Sequence, residues 1–522
     1  MTFSRLLLPL ALLALPALAQ ISAPPPAAPI ANPVLPGDFP DPSVTKIGDL
    51  YWASATSSDW APLFPLLTSK DLRTWTLVGH VFPQAQPAWA DHYFWAPEIS
   101  QDGGRTYVYY AAHQKNGNLA VAVASADRPE GPYRDHGPLV GQADGSIDAF
   151  PMRDENGQLY LIWKEDGNSI QQPTPIWAQP MNEARTALTG EKRELFRNAP
   201  GTWEGGLVEG VSMVRHGGYF YAFYAGNGCC GNGCTYATGV ARAKTLLGPW
   251  EKNPANPVLV SNEAWKCPGH GTAVEQAGRW YLLYHAYAAQ GFEHIGRQGV
   301  LSEFTWGAAG WPEFAGRGVL GGPTPAPVLA RTNVRDEFLG DKVNSAWQWP
   351  VLTPAPTMAL RGGQLHLTAQ PEGAGAVLGH GVFAAGYEAQ TTVVRPAAVP
   401  AGTAVGLAAV GSPNNALALT VGGRRLTLWK REKGKQTVLA DAPLPAGGAA
   451  LRLRVRVREA TQYQFDYSLD QGRRWQLLPG AGATPVSGTF LPTWDLGVRV
   501  GVLAQGPASG TGVFEDFQLK NL

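Results

Sequence analysis

The sequence predicts an all-β chain, a five-bladed β-propeller followed by a β-sandwich. Three observations carry this. The composition sets 62 Gly and 44 Pro among 18 Trp, 17 Tyr and 18 Phe, a mixture of tight turns and short aromatic-rich strands. A pattern recurs at Asp41, Trp95, Asp148, Glu209 and His270, with spacings of 54, 53, 61 and 61 residues. Beyond residue 335, segments such as GQLHLTAQ, RRLTLWKRE and LRLRVRVRE alternate with period two, as half-buried strands do.

The chain opens MTFSRLLLPLALLALPALAQ. Arg5, the apolar run and Ala17-Leu18-Ala19 form a secretory signal peptide over residues 1–19 rather than a membrane span. That reading implies a secreted or periplasmic protein. Residues 20–32 are a Pro/Ala-rich segment. The 41 basic and 41 acidic residues give zero formal charge with no basic block, which argues against nucleic acid or an anionic membrane as partner. Oligomeric state is not legible.

Residues 33–320 hold the five repeats. Each marker residue is followed about ten to twelve residues later by a Tyr-containing strand: DLYWASATSS, RTYVYYAAH, QLYLIWKED, GYFYAFYAGN and GRWYLLYHAY. Units of this size built from about four short strands are propeller blades. The first strand of a blade lines the central channel. Asp41, Asp148 and Glu209, at the starts of such strands, therefore converge at one mouth. Pro42 biases Asp41 toward extended backbone. Asp38, three residues earlier, reads as a turn residue.

Two carboxyl groups across a pocket are the equipment of glycoside hydrolysis, one protonating the leaving oxygen and one activating water or attacking carbon. Glu209 lies in the apolar stretch WEGGLVEGV. Low solvation there is expected to raise its pKa, which suits the acid. Asp41, in a more polar stretch, suits the base. The third carboxylate, Asp148, raises the acid's pKa by like-charge repulsion.

The loops after the second strands form the rim. Trp60 and Phe64 in SSDWAPLFPL are candidates to stack on a sugar, as is Trp95 in FWAPE. Lys164 and Asn168 belong to the third repeat's loop. His285, Tyr287, His294 and Arg297 belong to the fifth. Three cysteines sit in GNGCCGNGCTY and the fourth, Cys267, opens the last repeat. Disulfides are favoured over zinc, because the spacing is not a paired CxxC set and the chain reads as secreted. Three pairings are possible, and a Cys229–Cys230 bond is disfavoured by the short span between adjacent Cα atoms.

The segments DFPDPS, FWAPE, SIDAFP with YLIWKEDGN, LVEGVSMV, CPGHGTAV, and YHAY with GRQG resemble glycoside hydrolase family 43. The likeness runs over about residues 32–315. It implies a five-bladed propeller of the inverting β-xylosidases, α-L-arabinofuranosidases and arabinanases. By resemblance Asp41 is the general base, Glu209 the general acid, and Asp148 the residue that tunes and orients the acid. Arg297 resembles the family's substrate-binding arginine. His270 resembles a channel histidine associated with calcium through water. Val211 departs from the Pro that many members carry after the Glu-Gly pair. No cofactor is implied for the chemistry, and a structural calcium is the metal the resemblance allows. The implied substrates are hemicellulose-derived oligosaccharides (xylan, arabinoxylan, arabinan), with β-xylosidase action favoured over α-L-arabinofuranosidase or arabinanase. A non-catalytic carbohydrate-binding propeller is the competing reading, and the three carboxylates argue against it.

Residues 321–334, GGPTPAPVLARTNV, form a Pro-rich linker. Residues 335–522 form the sandwich, which resembles the concanavalin-like C-terminal module of the family's β-xylosidases. Such a module can lend a loop to the pocket. Asp336 and Asp516 are candidate calcium ligands, and carbohydrate binding is the module's alternative role.

Overall fold

A computed structural model describes residues 29–322, 331–445 and 450–522. The expected leader at 1–19, most of the segment at 20–32 and most of the linker at 321–334 lie outside them.

The first half consists of five four-stranded antiparallel sheets in chain order. Their first strands are Ser43–Ile47, Ala90–Asp102, Ser146–Arg153, Val208–His216 and Trp265–Gln276. The sheets are called I to V below. Each first strand touches the first strand of the next sheet, and that of sheet V touches that of sheet I.

The side-chain period of two explains how one strand serves two neighbours. In Tyr219–Gly226, the second strand of sheet IV, Phe220, Ala222 and Tyr224 pack against sheet III. Tyr221 and Phe223 face sheet V, against Trp265, Leu282 and Tyr284. Sheets I and II share Trp52, Leu66, Val108 and Tyr110, and sheets II and III share Tyr109, Val121, Leu161 and Trp163. Sheets V and I share Val44, Tyr51, Tyr281 and Leu283. Five cores thus join five sheets pairwise. The segment before sheet I reinforces the last junction: Leu35 and Gly299 exchange backbone hydrogen bonds, and Asn32 Nδ2 donates to the Leu301 carbonyl at 3.0 Å.

The second half is two stacked antiparallel sheets. One has six strands, ordered Ala376–Gly381, Arg499–Gln505, Ala404–Ser412, Asn415–Gly422, Arg425–Glu432, Lys435–Pro443. The other has nine, with Thr511–Asn521, Tyr387–Val394 and Ala450–Arg458 at its centre. Tyr387, Ala389, Thr391 and Val393 are buried while the residues between them are not. That is the alternation of a sandwich strand with one face in the core.

The two halves meet along a seam. Trp60–Ala61 pairs with Trp349–Pro350. Trp60 is fully buried among Val377, Ala408, Trp429 and Leu503 of the six-stranded sheet's surroundings, with the Arg499 guanidinium 5.2 Å from its ring. The expected rim position of Trp60 is therefore corrected: it is a seam residue. Phe64 is corrected likewise. It is fully buried between sheets I and II against Phe82, Phe94 and Tyr110. Asp38 is no simple turn residue. Its carboxylate accepts from the Arg297 N–H at 3.1 Å, the Gly497 N–H at 2.9 Å and Arg499 Nη1 at 2.7 Å.

Candidate active site

Sheets I, III, IV and V bring Asp41, Asp148, Glu209 and His270 to one pocket, and sheet II adds Trp95 to its wall. Each polar residue stands where a strand departs from regular geometry. Asp41, Asp148 and His270 have left-handed backbone, with φ of 50°, 58° and 44°. The ladder shifts register around Asp148, between Glu209 and Ser212, and on both sides of Gly269. A bulge of this kind bends the strand and re-aims a side chain. Left-handed backbone is uncommon for non-glycine residues and clusters at functional sites. The expectation of extended backbone at Asp41 is thus overturned. Pro42 disfavours the right-handed helical region, but the Asp41 N–H donates to His285 Nδ1 at 3.1 Å and Thr56 N–H to the Pro40 carbonyl at 2.9 Å. Those bonds hold the chain in a left-handed turn. Gly210, at φ 62°, permits the matching approach in sheet IV: a Cβ there would lie 2.8 Å from the His270 ring. Its N–H donates to Asp148 Oδ2 at 2.8 Å.

The three carboxylates differ in their partners. Arg297 Nη1 donates to Asp41 Oδ1 at 2.9 Å and Thr56 Oγ1 to Oδ2 at 2.7 Å. Burial works against ionisation of Asp41, but Arg297 and then His270 outweigh it and hold the carboxyl well below the usual range. Asp148 has no arginine or lysine in contact, only the His270 ring with Nδ1 3.9 Å from Oδ2, which opposes the effect of burial. Burial pushes it up to about 6, with the Glu209 charge adding to the rise. Glu209 also feels burial, but Lys164 Nζ lies 2.5 Å from Oε2 and Tyr236 donates to Oε1 at 2.9 Å. Its pKa is lowered, with Lys164 the chief cause opposing burial. The expectation that an apolar surrounding raises Glu209 is therefore corrected. Lys164, read above as a loop residue, stands in the strand Leu159–Glu165, fully buried and shared with Asp166 at 2.8 Å. Glu209 therefore ionises more readily than Asp148.

Arg297 enters from the strand Arg297–Trp306. His285 and Tyr287 lie across that ladder, but of the two only His285 touches a pocket carboxylate, that of Asp41. His294 belongs to the seam, with Nε2 3.1 Å from the Gly488 carbonyl. Asn168 lines the pocket from a single 3-10 turn, Gly167–Ile170.

The pocket holds about 310 Å³, the small end for a ligand site. Part of its wall comes from the second half of the chain. Trp494 is 51 % exposed and meets Trp95 edge-on at 5.8 Å. Asp495 Oδ2 accepts from Ser58 Oγ at 2.7 Å, and Ser58 Oγ accepts from Trp95 Nε1 at 3.0 Å. Sequence reasoning missed Trp494 and Asp495, because no local pattern marks a loop that contributes across a domain seam, and Tyr236, whose loop GNGCCGNGCTY drew notice only for its cysteines.

The cysteines pair as Cys234–Cys267 and as Cys229–Cys230, with Cα atoms 6.1 Å and 3.7 Å apart. The second bond is the one disfavoured above. Chain neighbours do close a ring here, and both residues line the pocket.

The calcium candidates fare unevenly as ligands. His270 Nδ1 lies 3.4 Å from Asp41 Oδ1 and 3.9 Å from Asp148 Oδ2. Calcium takes six to eight oxygens, and these carboxylates are already engaged by Arg297, Thr56 and the Gly210 N–H. The residues present do not form a direct calcium cage. Asp336 is taken by the Phe338 N–H and Trp347 Nε1, and Asp516 by Arg452.

Chemically, the pocket sets an obligate carboxylate, Asp41, against a carboxyl pair that keeps one proton up to mildly acidic pH. Comparison with known proteins agrees with that assortment. The family model described as glycosyl hydrolases family 43 matches residues 30–312, and that described as the beta xylosidase C-terminal concanavalin A-like domain matches residues 335–520. A non-reducing end alpha-L-arabinofuranosidase of Bacteroides ovatus is 26 % identical over 367 residues, covering 65 % of this chain and 66 % of that protein. A xylan 1,3-beta-xylosidase of Vibrio sp is 27 % identical over 351 residues, covering 59 % and 63 %. The chain thus spans just under two thirds of the length of these relatives. In fold it resembles the crystal structure of a xylan beta-1,4-xylosidase from Bacillus halodurans, with a TM-score of 0.79, 21 % identity, and coverage of 94 % of this chain and 100 % of that one.

Proposed function

This chain belongs to glycosyl hydrolase family 43, and we propose that it is a secreted, inverting glycosidase releasing terminal xylose or arabinose from plant cell-wall polysaccharides or their oligosaccharides, β-xylosides being favoured. The single observation that carries the reading is the different partnering of the three pocket carboxylates: Arg297 donates to Asp41, Lys164 contacts Glu209, and Asp148, with one backbone N–H donor, is pushed up to about 6 by burial. We read the five sheets as blades of a propeller, which their pairwise cores and the contact of sheet V with sheet I support. The domain limits proposed are 33–320 and 335–522.

In this mechanism Asp41 orients a water and takes its proton as the oxygen attacks the anomeric carbon. Arg297 keeps Asp41 charged but lowers its basicity, so positioning of the water is a large part of its contribution. Glu209 gives the pair's proton to the departing glycosidic oxygen. Asp148 stores that proton and fixes the Gly210 backbone beside Glu209. Lys164 and Tyr236 receive the Glu209 carboxylate left behind. A pocket of about 310 Å³ partly walled by Trp494 and Asp495 suits one sugar and hence exo action. The test is hydrolysis of a panel of aryl β-xylosides, α-L-arabinofuranosides and control hexosides. Turnover confined to the pentosides is expected, and no turnover of either pentoside contradicts the reading.

A further inference from the structure

The Cys229–Cys230 disulfide does nothing that a structural disulfide ordinarily does. Cross-links stabilise by closing loops, more so for longer ones. Cys234–Cys267 spans 33 residues and ties the loop after sheet IV's second strand to the first strand of sheet V. A bond between chain neighbours closes only its own small ring and restrains almost no chain. Its position is informative instead. Both residues are half-buried and line the pocket beside Gly228. Gly231, just beyond, packs against the Trp494 backbone, so the ring sits where the loop meets the pocket wall lent by the second half. Arg297 Nη1, the nitrogen that donates to Asp41 Oδ1, also reaches Cys229 Sγ at 3.5 Å.

The chemistry of that ring differs from that of the charged groups around it. Half of the lining residues carry carboxylate, ammonium, guanidinium or imidazole groups, and the apolar ones apart from the disulfide are Trp95, Ile147, Leu207 and Trp494. Two bonded sulfurs carry no donor and form a soft, polarisable, apolar surface. A pyranose or furanose has one face of C–H bonds, which needs such a surface. Trp95 and Trp494, the aromatic residues lining the pocket, meet edge-on.

We propose that the Cys229–Cys230 disulfide is the platform on which the apolar face of the bound sugar rests, and that it positions Arg297 against Asp41. The ring is thus a substrate-contacting determinant of affinity. This rests on the glycosidase reading for the identity of the ligand, but its test does not depend on turnover. Peptide mapping without reductant should recover Cys229 bonded to Cys230, and any other pairing overturns the proposal. Binding of free xylose and arabinose is then followed by calorimetry and by tryptophan fluorescence, alongside KM and kcat on aryl pentosides. In the Cys229→Ser/Cys230→Ser protein Kd and KM should rise about tenfold while the melting temperature stays within a few degrees, the pattern of a lost contact rather than a lost fold. The Cys234→Ser/Cys267→Ser protein should show the reverse, a lower melting temperature and unchanged Kd.

In that second protein a dithiol can reduce only the neighbouring pair. The S–S bond breaks, two S–H bonds form, and the dithiol closes to its own cyclic disulfide. Affinity should fall on reduction and return on reoxidation, whatever the folding yield of the serine double variant. A Kd within twofold of wild type in both the serine variant and the reduced protein overturns the proposal, as does a wild-type protein that binds neither pentose. Disulfide-dependent pentose binding without turnover upholds the platform and refutes the glycosidase reading.

Discussion

The pocket and the seam are both built from buried charge, and they match it differently. In the seam, Asp38 meets two backbone N–H groups and Arg499, both side chains being almost wholly buried. Donors answer that carboxylate on every side. In the pocket, Asp148 has one backbone N–H and the His270 ring at 3.9 Å but no arginine or lysine, while Glu209 must share Lys164 with Asp166. Asp38 and Asp41 lie three residues apart, and Arg297 serves both, its backbone N–H on one and its guanidinium on the other. Fully answered charge holds a structure together, whereas partly answered charge keeps a proton available. The comparison predicts that pocket substitutions change rate and pH response, and that seam substitutions change stability.

The largest effect should come from Glu209→Gln. Removing a positioned general acid should lower kcat about 10²–10⁴-fold on substrates with poor leaving groups. Activated aryl glycosides should lose less. Equal losses on both substrate types would break the pocket half of the comparison.

Next in size is Arg499→Met. It leaves the Asp38 carboxylate buried without its cation, which costs about 3 kcal/mol and should lower the melting temperature by roughly 5–10 °C. Well below that temperature kcat should change far less than in Glu209→Gln. Calorimetry and steady-state kinetics on one preparation check both points.

Asp495→Asn tests a residue at the border of the two regions. Burial pushes Asp495 up to about 6. A carboxyl raised above its unfolded value contributes stability below the unfolded pKa and loses it as pH rises through the folded one. The wild type therefore forfeits this contribution between about pH 4 and 6, and the asparagine variant does not. The variant's stability relative to wild type should climb across that window by about 1–3 kcal/mol. Denaturant titrations at several pH values measure it, and a flat difference contradicts the assignment.

The smallest shift concerns Lys164→Met. Loss of the ammonium disfavours the Glu209 carboxylate, so the proton stays to higher pH. The basic limb of the kcat/KM profile should move up by about one pH unit, with a reduced maximum. A downward move would mean that Lys164 is not what holds Glu209 low.

Much of this was legible before any coordinates. Glycine- and proline-punctuated aromatic strands marked five repeats, and five four-stranded sheets stand there. Asp41, Asp148, Glu209, Trp95, His270 and Arg297 were all singled out, and all line one pocket. Repeat position carried the first five, because each lies at the first strand of its sheet and those strands contact one another in turn, whereas Arg297 came from the family resemblance. Trp60 and Phe64 failed because a loop aromatic looks alike in sequence whether it stacks on ligand or on another sheet. Glu209's lowered pKa was invisible because its cause, Lys164, is 45 residues away in the neighbouring sheet. Trp494 and Asp495 were hidden by distance along the chain, and the Cys229–Cys230 bond by a distance rule that adjacent residues escape.

The central claim, that Asp41 activates water while Glu209 protonates the leaving group, has one most direct measurement. Proton NMR of the wild-type reaction on an aryl β-xyloside or α-L-arabinofuranoside, taken before the product mutarotates, reports which anomer forms first. A water delivered from Asp41 to the face opposite the leaving group yields the inverted anomer. A first product that keeps the substrate's own configuration would make Asp41 a nucleophile and contradict the account.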